Sequence, residues 1–209
     1  MSELVVYLGP SLSLSAAREI LDANYLPPIR RGDLAKVADS TRAVGIIDGE
    51  FFQSLAVSPK EVLKTISRGI RVYGAASMGA LRAAETCDLG MIGVGKIFAM
   101  FRDGVLDADD EVAVAYDPES YRTLSDPLVN LRCALEAAVA DGAIGNALAK
   151  ELLQAMQSRY FPLRSLRTLE RLCPALTSYC RPPRVRDLKA EDARELLHRM
   201  SQDYPARVV

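Results

Sequence analysis

A single histidine, six lysines and four cysteines with no CxxC pair leave this 209-residue chain few of the usual parts of an active site. The histidine, His198, lies in Leu196-Leu197-His198-Arg199-Met200 near the C-terminus. A Ser-His-Asp triad would have to be built on that residue, and its place on a terminal helix suits a surface or packing role instead. Cys87, Cys133, Cys173 and Cys180 have no metal-ligand spacing with it, so no metal and no cofactor is expected. Reduced thiols in a cytoplasmic protein are the plain reading. No apolar run approaches the length of a membrane span, and Met1-Ser2-Glu3 lacks the basic start of a secretory leader. A net charge of −1 gives no global field toward nucleic acid. What is present is apolar material: 49% of the residues are hydrophobic, enough for a sizeable core in one domain plus a helical extension.

Apolar runs alternate with helical patterns in the first half. Leu4-Val5-Val6-Tyr7-Leu8 ends in Gly9-Pro10-Ser11, and Ala43-Val44-Gly45-Ile46-Ile47 ends in Asp48-Gly49. Each reads as a buried strand followed by a turn. Helices are expected over 15–23 and from Asp33, and Ser58-Pro59-Lys60-Glu61 opens another. The pattern predicts an α/β fold over 1–125, a largely parallel sheet flanked by helices, with ligands at the carboxyl ends of the strands. A C-terminal helical extension is expected over 126–209, packed on that core, and 111–115 reads as one further strand.

Ser77 stands where a third apolar run, Ile70-Arg71-Val72-Tyr73, gives way to strong helix formers. Ala75 and Gly79 flank it at two residues on either side, the strand–turn–helix setting of a nucleophile elbow. A serine there either caps the helix or presents its hydroxyl as a nucleophile beside N–H groups that stabilise an oxyanion. With histidine scarce, the partner base would be a neutral lysine. Lys60 falls in the first turn of a helix, where the dipole disfavours positive charge, and Lys64 lies one turn along the same face. Both effects are small in water, so burial would have to supply most of a drop of roughly three pKa units. Otherwise Lys60 is a plain surface lysine on a capped helix.

Three further features invite two readings each. Gly90-Met91-Ile92-Gly93-Val94-Gly95-Lys96 has phosphate-loop spacing, but Ile97 replaces the magnesium-binding hydroxyl, so either a nucleotide or a mere turn is served. Asp107, Asp109, Asp110 and Glu111 form an acidic cluster that either meets a cation or basic partner or is solvated. Residues 159–186 carry seven arginines and one acid, a net of +6 against −7 for the rest of the chain. That face either docks an acidic protein, through residues such as Arg164, Arg167 and Arg171, or is solvated; aromatic residues for stacking nucleic acid are sparse there.

Gly9-Pro10-Ser11, Arg31-Gly32-Asp33-Leu34, Ile47-Asp48-Gly49 with Phe51, Lys60-Glu61, Gly90-Met91 with Gly93-Val94-Gly95, and Asp109-Asp110-Glu111-Val112-Ala113 occur in the order and spacing of a known family. The most specific block is Ala76-Ser77-Met78-Gly79-Ala80-Leu81-Arg82-Ala83-Ala84-Glu85. Over 4–130 the sequence resembles the TfuA-like family. The resemblance implies a partner of YcaO enzymes in peptide backbone thioamidation. It would hydrolyse a thiocarboxylated, ThiS-type carrier to release sulfide and assist YcaO binding of the precursor peptide. A Ser–Lys pair is associated with that hydrolysis, and by motif it would be Ser77 and Lys60. The resemblance also implies a strand order that need not be the standard doubly wound one. In the expected mechanism Ser77 attacks the thiocarboxylate carbon. The oxyanion would be met by the Met78 N–H and a second donor from Gly9, Ser11 or Gly49. Arg82 or Arg31 would offset the substrate charge, unless Arg82 only pairs with Glu85, and Asp48 would orient Lys60 or a water. Two other readings stand beside this: a non-catalytic adaptor, and a nucleotide-binding regulator using Lys96.

Overall fold

The computed structural model describes residues 3–51 and 54–205. The chain divides into two compact units, one formed by residues up to 107 and from 189 on, the other by Ala108–Leu188.

The first unit is built on five short strands, β1 (Leu4–Tyr7), β2 (Asn24–Leu26), β3 (Ala43–Ile46), β4 (Arg71–Gly74) and β5 (Ile92–Gly93). All pairings are parallel, in the order β2-β1-β3-β4-β5. This departs from the 3-2-1-4-5-6 order of dinucleotide-binding sheets and follows the other doubly wound arrangement, in which the chain switches direction between β1 and β3. The α/β, largely parallel architecture is therefore as expected. The central strands β1 and β3 are buried along their whole length, which is why they read as continuous apolar runs rather than alternating ones.

Helices cover both faces of this sheet. Leu4, Val6 and Leu8 point to one side. They pack with Ala17 of α1 (Leu14–Arg18), with Leu21, and with Ala193, Leu196, Leu197 and Met200 of the long final helix. On the other side α2 (Pro59–Ser67) and α3 (Met78–Thr86) pack on β4 and on each other. The start of α2 forms as the sequence dictates: the Glu61 N–H donates to Ser58 Oγ and the Ser58 N–H to Glu61 Oε2, with Pro59 at the first helical position. A helix α4 (Lys96–Arg102) follows β5.

The second unit carries α5 (Leu128–Ala140), α6 (Asn146–Gln157) and α7 (Leu166–Leu172) around a core that includes Leu131, Leu135, Met156, Leu169 and Leu176. Within it, Glu111 and Arg132 form a buried pair bonded through both carboxylate oxygens.

Three expectations differ from what is found. The boundary lies at 107/108 rather than 125/126, and the final helix α8 (Leu188–Asp203) returns to the first unit instead of extending the second. Its apolar stripe is the reason, because the sheet face above Val6 and Ala43 needs a cover. Asp33 starts only a 3-10 turn, Leu34–Lys36, with its carboxylate bonded to the Arg30 N–H instead of capping. Residues 109–111 form another 3-10 turn, so 111–115 is no strand.

Candidate active site

The turn from β4 into α3 is tight and stitched to the end of β3. The Ala75 N–H donates to the Ile46 carbonyl at 3.1 Å, and the N–H groups of Ser77 and Gly79 both reach the Ile47 carbonyl, at 3.3 and 3.4 Å. Ala76 takes φ +64, a left-handed conformation that costs a residue with a Cβ about 1 kcal/mol or more. Gly79 makes the turn feasible. A Cβ there would overlap the Ile46 carbonyl oxygen, so only glycine lets α3 sit directly on β3.

Ser77 occupies the cap position of α3, yet its hydroxyl bonds no helix N–H and no other described residue. The residue is 2% exposed. The capping alternative therefore fails, and a hydroxyl on a largely buried residue, engaged by no side-chain cap, stands at the positive end of a nine-residue helix. Beside it the Met78 N–H has no acceptor among the described residues.

A second such donor lies across the turn, on Gly49. Ile29 pairs with Gly49 as an isolated parallel bridge, the Ile29 N–H donating to the Asp48 carbonyl and the Glu50 N–H to the Ile29 carbonyl. Backbone direction alternates along a strand, so the Gly49 N–H points away from Ile29, toward the side of β4 and α3. It has no acceptor among the described residues. Its neighbour on that side is Met78, whose Cγ would lie 2.8 Å from a Cβ on Gly49.

Gly9 and Ser11 are placed at the same strand ends, but their N–H groups are occupied. Asp48 Oδ2 accepts the Gly9 N–H at 2.9 Å and the Ser11 N–H at 3.1 Å, and Oδ1 accepts the Ser11 hydroxyl at 2.6 Å. Of the three expected sources of a second oxyanion donor, Gly49 is the one whose N–H is not engaged. Asp48 is 2% exposed and faces one cation, Lys189 of α8, whose Nζ lies 4.0 Å from Oδ1. Lys189 is itself buried.

The remaining expected residues lie around this centre. Lys60 is exposed in the first turn of α2, so the burial required of a neutral base is absent there, and no hydrogen bond joins it to Ser77. Asp48 faces Lys189 rather than Lys60. Arg82 donates from Nε to the Val57 carbonyl and from Nη1 to Glu85, the plain helical pairing. Arg31 is exposed, with its Nε directed at the Ala56 carbonyl, beside Glu61. Burial alone would raise the Glu61 carboxyl, but hydrogen bonds from Ser58 and Gly32, with Arg31 nearby, hold it below its usual value. His198 is exposed.

The glycine-rich loop is filled from within. Asp192 accepts the N–H groups of Lys96 at 2.9 Å and Ile97 at 2.7 Å. Its carboxylate lies where a Cβ on Gly95, at φ +92, would be. The N-terminus of α4 thus holds the chain's own carboxylate in the place a phosphate would take. Burial, opposed by those two N–H donors and aided by Glu195 and Glu191, pushes the Asp192 carboxyl from 3.8 up to about 6. A raised carboxyl stabilises the fold in its protonated form, fully below its ordinary value and progressively less as pH rises through about 6. Asp192→Asn is expected to remove about 2–3 kcal/mol of that slope between pH 4 and 7. Urea midpoints of both proteins across that range measure it, and identical slopes would acquit Asp192.

The local signals for Lys189 and Asp192 were silent. Lys189 sits in the first turn of α8 and Asp192 just beyond it, and their partners are remote in sequence.

Set against known proteins, residues 48–165, more than half of the chain, match a protein family described as TfuA-like protein. No curated protein matches. The matched segment contains Asp48, Gly49, Lys60, Ser77, Met78 and Lys96, but not Gly9, Ser11, Lys189 or Asp192.

Proposed function

This chain belongs to the TfuA-like family of YcaO-associated proteins, and on that premise we propose that it hydrolyses a thiocarboxylated ThiS-type carrier protein to supply sulfide for peptide backbone thioamidation. The observation that supports the reading is Ser77: a largely buried serine whose hydroxyl caps no helix N–H, on the turn that also carries the unengaged Met78 N–H. Ser77 Oγ attacks the thiocarboxylate carbon, and Lys60 takes its proton. The oxyanion settles between the Met78 and Gly49 N–H groups, and the C–S bond breaks. Sulfide leaves with the proton, being a far better leaving group than hydroxide. Water then adds to the acyl-enzyme, its oxygen ending in the carrier carboxylate, one of its protons returning to Ser77 and the other released to solvent as the carboxyl ionises. Lys60 is exposed in the free protein. Docking of the carrier over the first turn of α2 therefore has to dehydrate it, which ties base strength to the presence of substrate. The test is covalent labelling by a serine-reactive fluorophosphonate; absence of an adduct on Ser77 would leave the adaptor role instead.

The arginine-rich segment divides into two kinds of residue. Arg164 is not a docking residue: it is 2% exposed, donating to the carbonyls of Met156, Gln157, Arg159 and Asp110 and pairing with the Asp110 carboxylate. Arg167 and Arg171 are exposed, near the exposed side chains of Leu163 and Leu172. These two carry the proposed contact with an acidic face of the YcaO enzyme or carrier. Arg167→Glu with Arg171→Glu should slow association about tenfold at low salt and leave stability within about 0.5 kcal/mol. Arg164→Met should destabilise by about 3 kcal/mol instead. Association that ignores both salt and the double reversal would remove this face from the interface.

A further inference from the structure

We infer that Lys189 is a positioning residue of this site: its ammonium holds the Asp48 carboxylate, and Asp48 in turn holds the Gly9–Ser11 loop and the Gly49 peptide beside Ser77. The inference rests on the reading of Ser77 given above, but the ion pair can be tested apart from it.

The geometry begins with Asp48. It directly follows the last apolar residues of β3, at the point between β1 and β3 where the sheet changes direction, the usual ligand position in such sheets. Its backbone is fixed on both sides, the N–H to the Tyr7 carbonyl and the carbonyl to the Ile29 N–H. Its side chain gathers three donors from the loop after β1. An ionised carboxylate shut away from water needs a cation as well as donors, and Lys189 stands at 4.0 Å with 4% of its side chain exposed. The loop after β1, the Gly49 N–H and Ser77 thus share one anchor, and that anchor depends on α8.

The experiment uses the full chain and three variants, Lys189→Met, Asp48→Asn and the double variant. Methionine keeps the length of the side chain and removes only its charge. Two quantities are read: the urea midpoint, and the kinetics of fluorophosphonate labelling at Ser77, separated into the saturation constant and the first-order step. Lys189→Met is expected to lose stability through an unpaired buried carboxylate, and the double variant to recover much of it. The first-order labelling step should fall on the order of a hundredfold in Lys189→Met, with the saturation constant unchanged, because the donors are displaced rather than the reagent excluded. In the double variant, stability returns and the slow step persists. That combination separates positioning from mere packing, and it remains readable if Lys189→Met alone fails to fold. Wild-type labelling rates in a stable double variant would overturn the inference, as would additive effects on the midpoint. If the wild type is not labelled at all, the nucleophile reading falls. The midpoint coupling, with amide exchange at Gly9 and Ser11, then still decides whether Lys189 holds Asp48: additivity and unchanged protection in Lys189→Met would refute it.

Discussion

Ser77→Ala is expected to stop sulfide release from a thiocarboxylated carrier, by at least about a thousandfold, in a protein that stays folded. The hydroxyl makes no hydrogen bond among the described residues, so its removal leaves no orphaned partner. Stability should change by less than about 0.5 kcal/mol, since the usual penalty of losing a cap does not apply. Lys60→Ala should lower release comparably, and Ser77→Ala with Lys60→Ala should be no slower than Ser77→Ala alone, because residues acting as one unit are grossly non-additive. A sulfide electrode with purified carrier gives the rates, and circular dichroism the fold. Release by Ser77→Ala within tenfold of wild type would end the covalent mechanism. Additive losses would show that Lys60 serves carrier binding rather than proton transfer.

Gly79→Ala should produce the largest loss of stability of any single methyl group added to the first unit, roughly 3 kcal/mol or more. The added carbon meets the Ile46 carbonyl, a backbone atom of a central strand that cannot turn aside as a side chain would. Relief requires α3 to lift off β3, breaking the N–H contacts of Ser77 and Gly79 with Ile47 and moving Ser77 with them. Gly145→Ala provides the contrast. That residue precedes α6 at φ −85 with nothing within 4 Å of a new Cβ, so its cost should stay within about 1 kcal/mol. Chemical denaturation of both variants measures the difference. Equal midpoints would mean that the β4–α3 junction is more compliant than its packing indicates.

Strands buried on both faces left the clearest marks in the sequence. The runs that became β1, β3 and β4 are apolar enough to be read without a partner in view, and the capping box of α2 is a purely local device. Edge strands were silent. β2 has three residues and begins with an exposed asparagine, β5 has two and includes a glycine, and neither is long enough to show a period. Of the site, Ser77 and Met78 were legible because turn and helix signals meet there, and Gly49 because it ends a strand. Lys189 was one of six lysines with nothing local to distinguish it; only a fold that brings residue 189 to residue 48 does so. Arg164 was misjudged for the complementary reason: charge density along a sequence does not reveal which guanidinium folds inward to satisfy carbonyl groups.

The final helix also has a temporal meaning. β1 is an inner strand of the sheet, and α8, which covers the same sheet face, is synthesised long after it. A nascent chain that has not yet emerged as far as Lys189 and Asp192 presents an uncovered apolar sheet face, a carboxylate without its cation and a glycine loop without its carboxylate. Until α8 leaves the ribosome, that apolar face is open to non-native contacts. A chain ended before α8 is expected to aggregate, because the sheet face that α8 covers stays open.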